Sequence, residues 1–331
     1  MIKSIQNFIK GMVIGVANII PGVSGGTLAL ILNIYEPLIE GIHNISWNTV
    51  VKFFRLFTFK KQALKEFVDE MKSIRFGLLV LVIGGAGVSI LLFSSLMSYL
   101  IQNHQAPTFG FFFGLIIISI IIPLNMIKKI DFRVVIALVI AIALIMGLSM
   151  METDETKIQK EEQKILMDET GVVESDDNSV LDYAYLMLCG GVATSTMIIP
   201  GVSGAFVLLL MGKYFDVLAA VSSMNIAVLG VFALGALLGL LLFSRFLNYL
   251  LKKHHDTTMG FLTGLVIGSL WAIWPFKELY TLSSGEVITL SNIIPNQLGS
   301  SEIVTIFTIL AGMAVVLLMI LVEKKNNKKK T

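Results

Sequence analysis

The chain has 331 residues, of which 55% are hydrophobic and only 15% charged. That balance excludes an ordinary water-soluble domain, and a single cysteine, Cys189, excludes an internal disulfide. The net charge of +2 says little as a total, but its distribution along the chain is informative.

In chain order, the first ten residues, MIKSIQNFIK, lack the compact apolar core and small-residue cleavage site of a signal peptide, so the first apolar stretch is expected to stay in the mature protein. Residues 5–20 and 26–42 form two short apolar stretches separated by Pro and Gly. Residues 46–75 place Val50, Phe53, Phe54, Phe57, Leu64, Phe67 and Met71 at helical spacing with Lys and Arg between them. This pattern predicts an amphipathic helix on the cytoplasmic interface. Runs long enough to span a bilayer, against the roughly 20 residues required, follow at 76–100, 109–127 and 134–150. A strongly acidic stretch over 151–180 reads as a solvated, partly disordered external loop. A second broken pair at 181–199 and 205–221 comes next, then runs at 226–251, 257–274 and 303–322, and a basic tail at 324–331.

Most of the 25 Lys and Arg residues cluster at Lys3 and Lys10, in 52–75, at 128–133, at Lys252 and Lys253, and in the tail. Positive charge marks the cytoplasmic side, so both termini are expected there. The outer side then carries 102–107, the acidic stretch, 222–225 and 276–300. Each broken pair must return to the side it entered, either as two spans or as one re-entrant hairpin.

Ile19-Ile20-Pro21-Gly22-Val23-Ser24-Gly25 recurs letter for letter as Ile198-Ile199-Pro200-Gly201-Val202-Ser203-Gly204, and the same register pairs Leu30 with Leu209 and Tyr35 with Tyr214. Further on, Leu92-Phe93-Ser94 matches Leu242-Phe243-Ser244, His104 matches His254, and Gly110-Phe111 matches Gly260-Phe261. The halves are thus 1–150 and 181–323. His104 falls in an outer turn and His254 in a cytoplasmic one, which makes the repeats inverted. The predicted fold is an all-α polytopic membrane protein of two inverted-topology repeats, each with a broken, re-entrant helix pair and three transmembrane helices. Secondary transporters are built this way, with substrate held near the midplane between broken helices. Channels share the plan.

Pro21 lacks a backbone donor and disfavours helix at Ile20, while Gly22, Gly25 and Gly26 permit geometries that a Cβ forbids. Non-helical backbone inside a bilayer needs enclosure by protein or water. The helix resuming at the tip points amide groups inward, and Ser24, Thr27 and Ser203 add hydroxyls, so a phosphate or carboxylate is the natural guest. The binding set is Asn18, Pro21, Gly22, Ser24, Gly25, Gly26 and Thr27 with Pro200, Gly201, Ser203 and Gly204. The plainer reading of each motif is helix packing, which duplication weakens. Arg245 either clamps the anion through paired hydrogen bonds or snorkels to the interface. Glu36, Glu40, Lys213 and Asp216 follow the motifs and serve either gating or proton coupling, or simply sit at the interface. The four-residue spacings Gly110/Gly114, Gly235/Gly239 and Gly260/Gly264/Gly268 read as close helix contacts.

The segment Ala17-Asn18-Ile19-Ile20-Pro21-Gly22-Val23-Ser24-Gly25-Gly26-Thr27, echoed from Ile199 to Gly204, resembles the bacterial PopT-type polyprenyl-phosphate transporters, formerly a domain family of unknown function. The resemblance covers nearly the whole chain. It implies a plasma-membrane flippase that returns undecaprenyl phosphate, the lipid carrier of cell-wall precursors, from the outer to the inner leaflet. The second motif departs from the first at Ala205 and Phe206, so the two cradles are not equivalent. Membrane lipids are the other expected partners; no nucleic acid, metal or cofactor is. The alternatives are a channel or transporter for another anion, and a membrane lipid phosphatase. Against the phosphatase, His43, His104, His254 and His255 lie at loop ends with no acid at motif spacing.

Overall fold

In the computed structural model, residues 2–20, 23–151, 153–170, 179–282, 284, 287–297 and 299–328 are described. The N-terminal broken pair is α1 (Ile2–Ile19), α2 (Gly25–Ile31) and α3 (Tyr35–His43). An amphipathic hairpin, α4 (Trp47–Arg55) and α5 (Lys61–Ser73), leads into α6 (Phe76–Asn103), α7 (Gln105–Ser119), α8 (Ile121–Met126) and α9 (Phe132–Met151). After α10 (Asp154–Thr170) the pattern recurs as α11 (Val180–Ile198), α12 (Gly204–Leu210), α13 (Tyr214–Ser222), α14 (Ile226–Lys253), α15 (His255–Ala272) and α16 (Ser300–Lys328). Between the last two helices lies an antiparallel hairpin of β1 (Lys277–Thr281) and β2 (Val287–Asn292).

Among the described residues, five helices are long and apolar enough to cross a membrane: α6, the α7–α8 unit, α9, α14 and α16. The sixth expected span is α15, whose first turn, His255-Asp256-Thr257-Thr258, is polar. Its next turns are the most enclosed in the bundle, with Met259, Thr263 and Leu265 fully buried. A helix walled by protein does not need the uniform apolarity that lipid demands. This architecture is that of an all-α polytopic membrane protein.

Four long contacts organise the bundle: α1 on α6, α11 on α14, α7 on α16 and α9 on α15. The last two exchange partners between the halves, so neither half packs alone. Glycine sets the spacing of these seams. A Cβ on Gly114 would land on the Ile309 carbonyl of α16, one on Gly264 on the Leu138 carbonyl of α9, and one on Gly235 on the Met187 carbonyl of α11. The four-residue glycine spacings are therefore helix-packing positions.

The apolar run 26–42 is two helices rather than one. Asn33 adopts a left-handed φ of 54°, and Gly212, at the equivalent place in the second half, has φ 70°. A left-handed residue ends a helix, and Gly and Asn enter that region most easily. The α2 terminus is closed when Lys10 Nζ donates to the Leu32 carbonyl at 2.6 Å. The Tyr185 hydroxyl does the same for Met211 in the second half at 2.9 Å. Pro123 in the first turn of α8, which cannot donate, accompanies the division of the 109–127 run at Ile120.

The acidic stretch departs from its expected partial disorder over residues 154–170, which are helical. Asp154 and Glu155 occupy the first turn, where the helix dipole favours negative charge. Lys157 donates to the Leu290 carbonyl of β2 at 3.3 Å, and Ser291 hydrogen-bonds Asp154. Residues 171–178 of the same stretch lie outside the described residues.

In the amphipathic hairpin, Trp47, Phe54, Phe57 and Phe59 are exposed. The two helices are clasped by buried Glu70, which accepts from Thr49 Oγ1 at 2.5 Å and from Lys52 Nζ at 2.6 Å. The Lys52 hydrogen bond first, and the Thr49 hydroxyl second, hold the Glu70 carboxyl below its ordinary range despite burial.

Replacing Gly114 by Val should cost about 2 kcal/mol or more, because the obstacle is backbone and cannot rotate away. Gly87→Ala, where a Cβ meets nothing within 4 Å, should leave thermal stability in detergent unchanged. Because the Glu70 pKa is lowered in the folded state, its stabilisation is complete above the unfolded carboxylate range and is lost as pH falls through the lowered value. Amide exchange over residues 47–73 should therefore accelerate on acidification, and Glu70→Gln should flatten that dependence.

Candidate functional site

The two helix breaks lie where expected, and they meet. α1 stops at Ile19, with the Ile20 amide turning back to the Ala17 carbonyl at 3.1 Å and the Val23 amide to Ile20 at 3.2 Å. Ser24 is extended (φ −98°, ψ 134°) and caps α2, its Oγ accepting from the Gly26 amide at 3.2 Å. Asn18 Oδ1 accepts from the Gly25 amide at 3.0 Å. The first two amides of α2 are thus held by the chain's own side chains. Pro21 and Gly22, placed in the cradle by the sequence, lie outside the described residues.

At the second break α11 stops at Ile198. Ile199 turns extended (φ −73°, ψ 126°), as a residue before proline must. Gly201 has φ 79°, and a Cβ there would sit 2.7 Å from the Leu265 carbonyl of α15, so the loop requires glycine twice over. Gly204 packs on α11, its Cβ position 2.5 Å from the Ala193 carbonyl. Ser203 is exposed at the mouth of the break.

Two contacts join the breaks across the halves. The Tyr35 hydroxyl donates to the Ile198 carbonyl at 3.1 Å, and a Cβ on Gly26 would come within 2.8 Å of the same oxygen. The carbonyl freed where α11 ends is met by the opposite half. Thr27 is buried, at 1% exposure. Asn18, Ser24, Gly25, Gly26, Gly201, Ser203 and Gly204 remain at or beside the breaks.

The charged candidates divide. Arg245 is exposed on α14 and has no hydrogen bond or ion pair among the described residues. Glu40 pairs with Arg75, and Lys213 with Asp216 at 2.6 Å. Glu36 reaches farther: its Oε1 lies 3.0 Å from His255 Nε2 at the head of α15. His255 Nδ1 is 3.3 Å from Asp256, whose carboxylate accepts from the amides of Lys128 and Lys129 at 3.1 and 2.9 Å. His255 thus meets acids in space although no motif spacing marks it. Sequence spacing could not show the pair, because 219 positions separate its members. Tyr35 was equally hidden: the repeat register marks the residue but not its partner.

Membrane-length helices around two interrupted pairs, joined at their breaks, define a polytopic membrane protein of the broken-helix kind. The chain belongs to the VCA0040-like family, described as undecaprenyl phosphate translocase-like, whose model matches residues 14–289. Among its relatives is a polyprenyl-phosphate transporter of Vibrio cholerae, 33% identical over 296 residues, covering 86% of this chain and 83% of the relative. Another polyprenyl-phosphate transporter, from Staphylococcus aureus, is 30% identical over 279 residues, covering 81% and 86%. No solved structure matches the chain significantly.

Proposed function

We propose that the protein moves a polyprenyl phosphate, undecaprenyl phosphate in particular, from the outer to the inner leaflet of the bacterial plasma membrane, receiving the phosphate at the paired breaks. The observation that carries this reading is the meeting of the breaks through Tyr35, Gly26 and the Ile198 carbonyl, the proximity that a site shared by both halves requires. The relatives' transport of polyprenyl phosphate supplies the substrate class. A phosphate head needs a polar passage, whereas its isoprenoid tail can remain in lipid.

The phosphate would enter by exchange. Ser24 Oγ now accepts from the Gly26 amide and Asn18 from the Gly25 amide. An anion is a stronger acceptor than either, so it takes those amides and turns the Ser24 hydroxyl into a donor. Ser203 offers a second hydroxyl from the other half. Rocking of inverted halves about this centre, with both termini in the cytoplasm, would expose it to each side in turn. The Glu36–His255–Asp256 chain ties α3 to α15 and is the natural place for a proton to bias that motion.

Purified protein in liposomes should accelerate transbilayer movement of undecaprenyl phosphate over empty vesicles. Ser24→Ala/Ser203→Ala should lower the rate by roughly tenfold or more, the worth of charge-assisted hydrogen bonds. An unchanged rate in the folded variant would remove the breaks from the path. Absence of movement in the wild type, with and without a pH gradient, would point to a different anion. His255→Gln and Glu36→Gln should lose the response to an imposed pH gradient; an intact response would exclude coupling through this pair.

A further inference from the structure

Away from the breaks, a cavity of about 620 Å³ lies between α1, the α2–α3 connection, α5 and the start of α6. Lys10, Lys72 and Arg75 stand in its wall together with Ile34, Met71 and Phe76, and none of the described residues that line it is acidic. Lys10 lies nine residues before the end of α1, about 14 Å along the helix at 1.5 Å per residue, so this space is separate from the breaks. The volume suits a small amphiphile.

A phosphate entering here would compete with partners that these cations already hold. Lys10 Nζ donates to the Leu32 carbonyl. Arg75 pairs with Glu40, and Lys72 lies 3.4 Å from Asp69. Both ion pairs are open to water, where such pairs contribute little. Val68 extends the apolar side of the lining toward the surface, and Leu64 on the same helix is exposed beyond it, giving a tail a route to the bilayer. The repeat does not reproduce this arrangement. In the register that pairs Ile19 with Ile198, the counterpart of Lys10 is Cys189, and the α4–α5 segment has no partner in the second half.

We propose that this cavity is a second lipid-phosphate site, which binds the phosphate monoester head of an isoprenoid lipid at the cytoplasmic end of the N-terminal half. It rests on the substrate assigned above and adds a one-sided station where the lipid waits after, or before, its passage through the breaks. Three cations favour a monoester dianion over the single charge of a phosphodiester. The apolar wall favours a tailed phosphate over the free ion.

The test uses the full chain in detergent, with Cys189→Ala and a bimane fluorophore on Val68→Cys. Farnesyl phosphate should give a saturable change. Farnesol, inorganic phosphate and short-chain phosphatidylglycerol should each bind about tenfold or more weakly. Lys10→Gln and Lys72→Gln should each weaken farnesyl phosphate about tenfold, with Lys10→Arg close to the parent; Lys72 is on the surface, so its replacement does not threaten the fold. Equal response to farnesol, to inorganic phosphate or to phosphatidylglycerol overturns the assignment, as does parent-like affinity in both glutamine variants. Movement in liposomes with a silent cavity probe removes this site and leaves the transport reading intact. Saturable cavity binding without movement keeps the site and removes the transport reading.

Discussion

Backbone polar groups buried away from water must be paired, and this chain interrupts two helices, leaving amides and carbonyls that other groups have to satisfy. Every feature around the breaks answers that constraint. Asn18 and Ser24 take the first amides of α2, Tyr35 takes the carbonyl at the end of α11, and Lys10 and Tyr185 close the far ends of α2 and α12. A donor from one half satisfying an acceptor of the other makes the broken segments interdependent. On the reading proposed above, the Gly25 and Gly26 amides are the groups that a phosphate would take over from Asn18 and Ser24.

The enclosure depends on exchange of helices between the halves. α7 packs on α16 and α9 on α15, with glycines at the closest points, so the centre is walled from both sides. α15 is the element on which these contacts converge. It packs against Gly201 of the second break, is clad by α9, and begins with His255 and Asp256, which connect it to Glu36 of the first half. A change at the head of α15 therefore has a physical route to the breaks.

Much of this was legible in the sequence. Long apolar runs announced the spans, Pro and Gly the breaks, and four-residue glycine spacing the seams, because each follows from local rules of helix formation and packing. The split of 26–42 at Asn33 was missed because one left-handed residue leaves almost no mark in an apolar run, although Gly212 at the equivalent position was a usable clue. The helix over 154–170 and the β-hairpin beside it depend on one another through Lys157 and Ser291, a tertiary contact with no local signature. At the site, composition pointed to free amides and a reachable Thr27. The structure instead caps those amides and buries Thr27, since a short exposed helix start competes for the nearest side-chain acceptor.

On the transport reading proposed above, the two breaks line one polar path used by the lipid phosphate. Thiol labelling tests it directly, with Ser24→Cys and Ser203→Cys made singly in a Cys189→Ala background and exposed to a membrane-impermeant reagent from each side. The account predicts that both positions react with reagent from water and that a polyprenyl phosphate protects both. Cysteines that never react, or that react equally with and without the lipid, would contradict it.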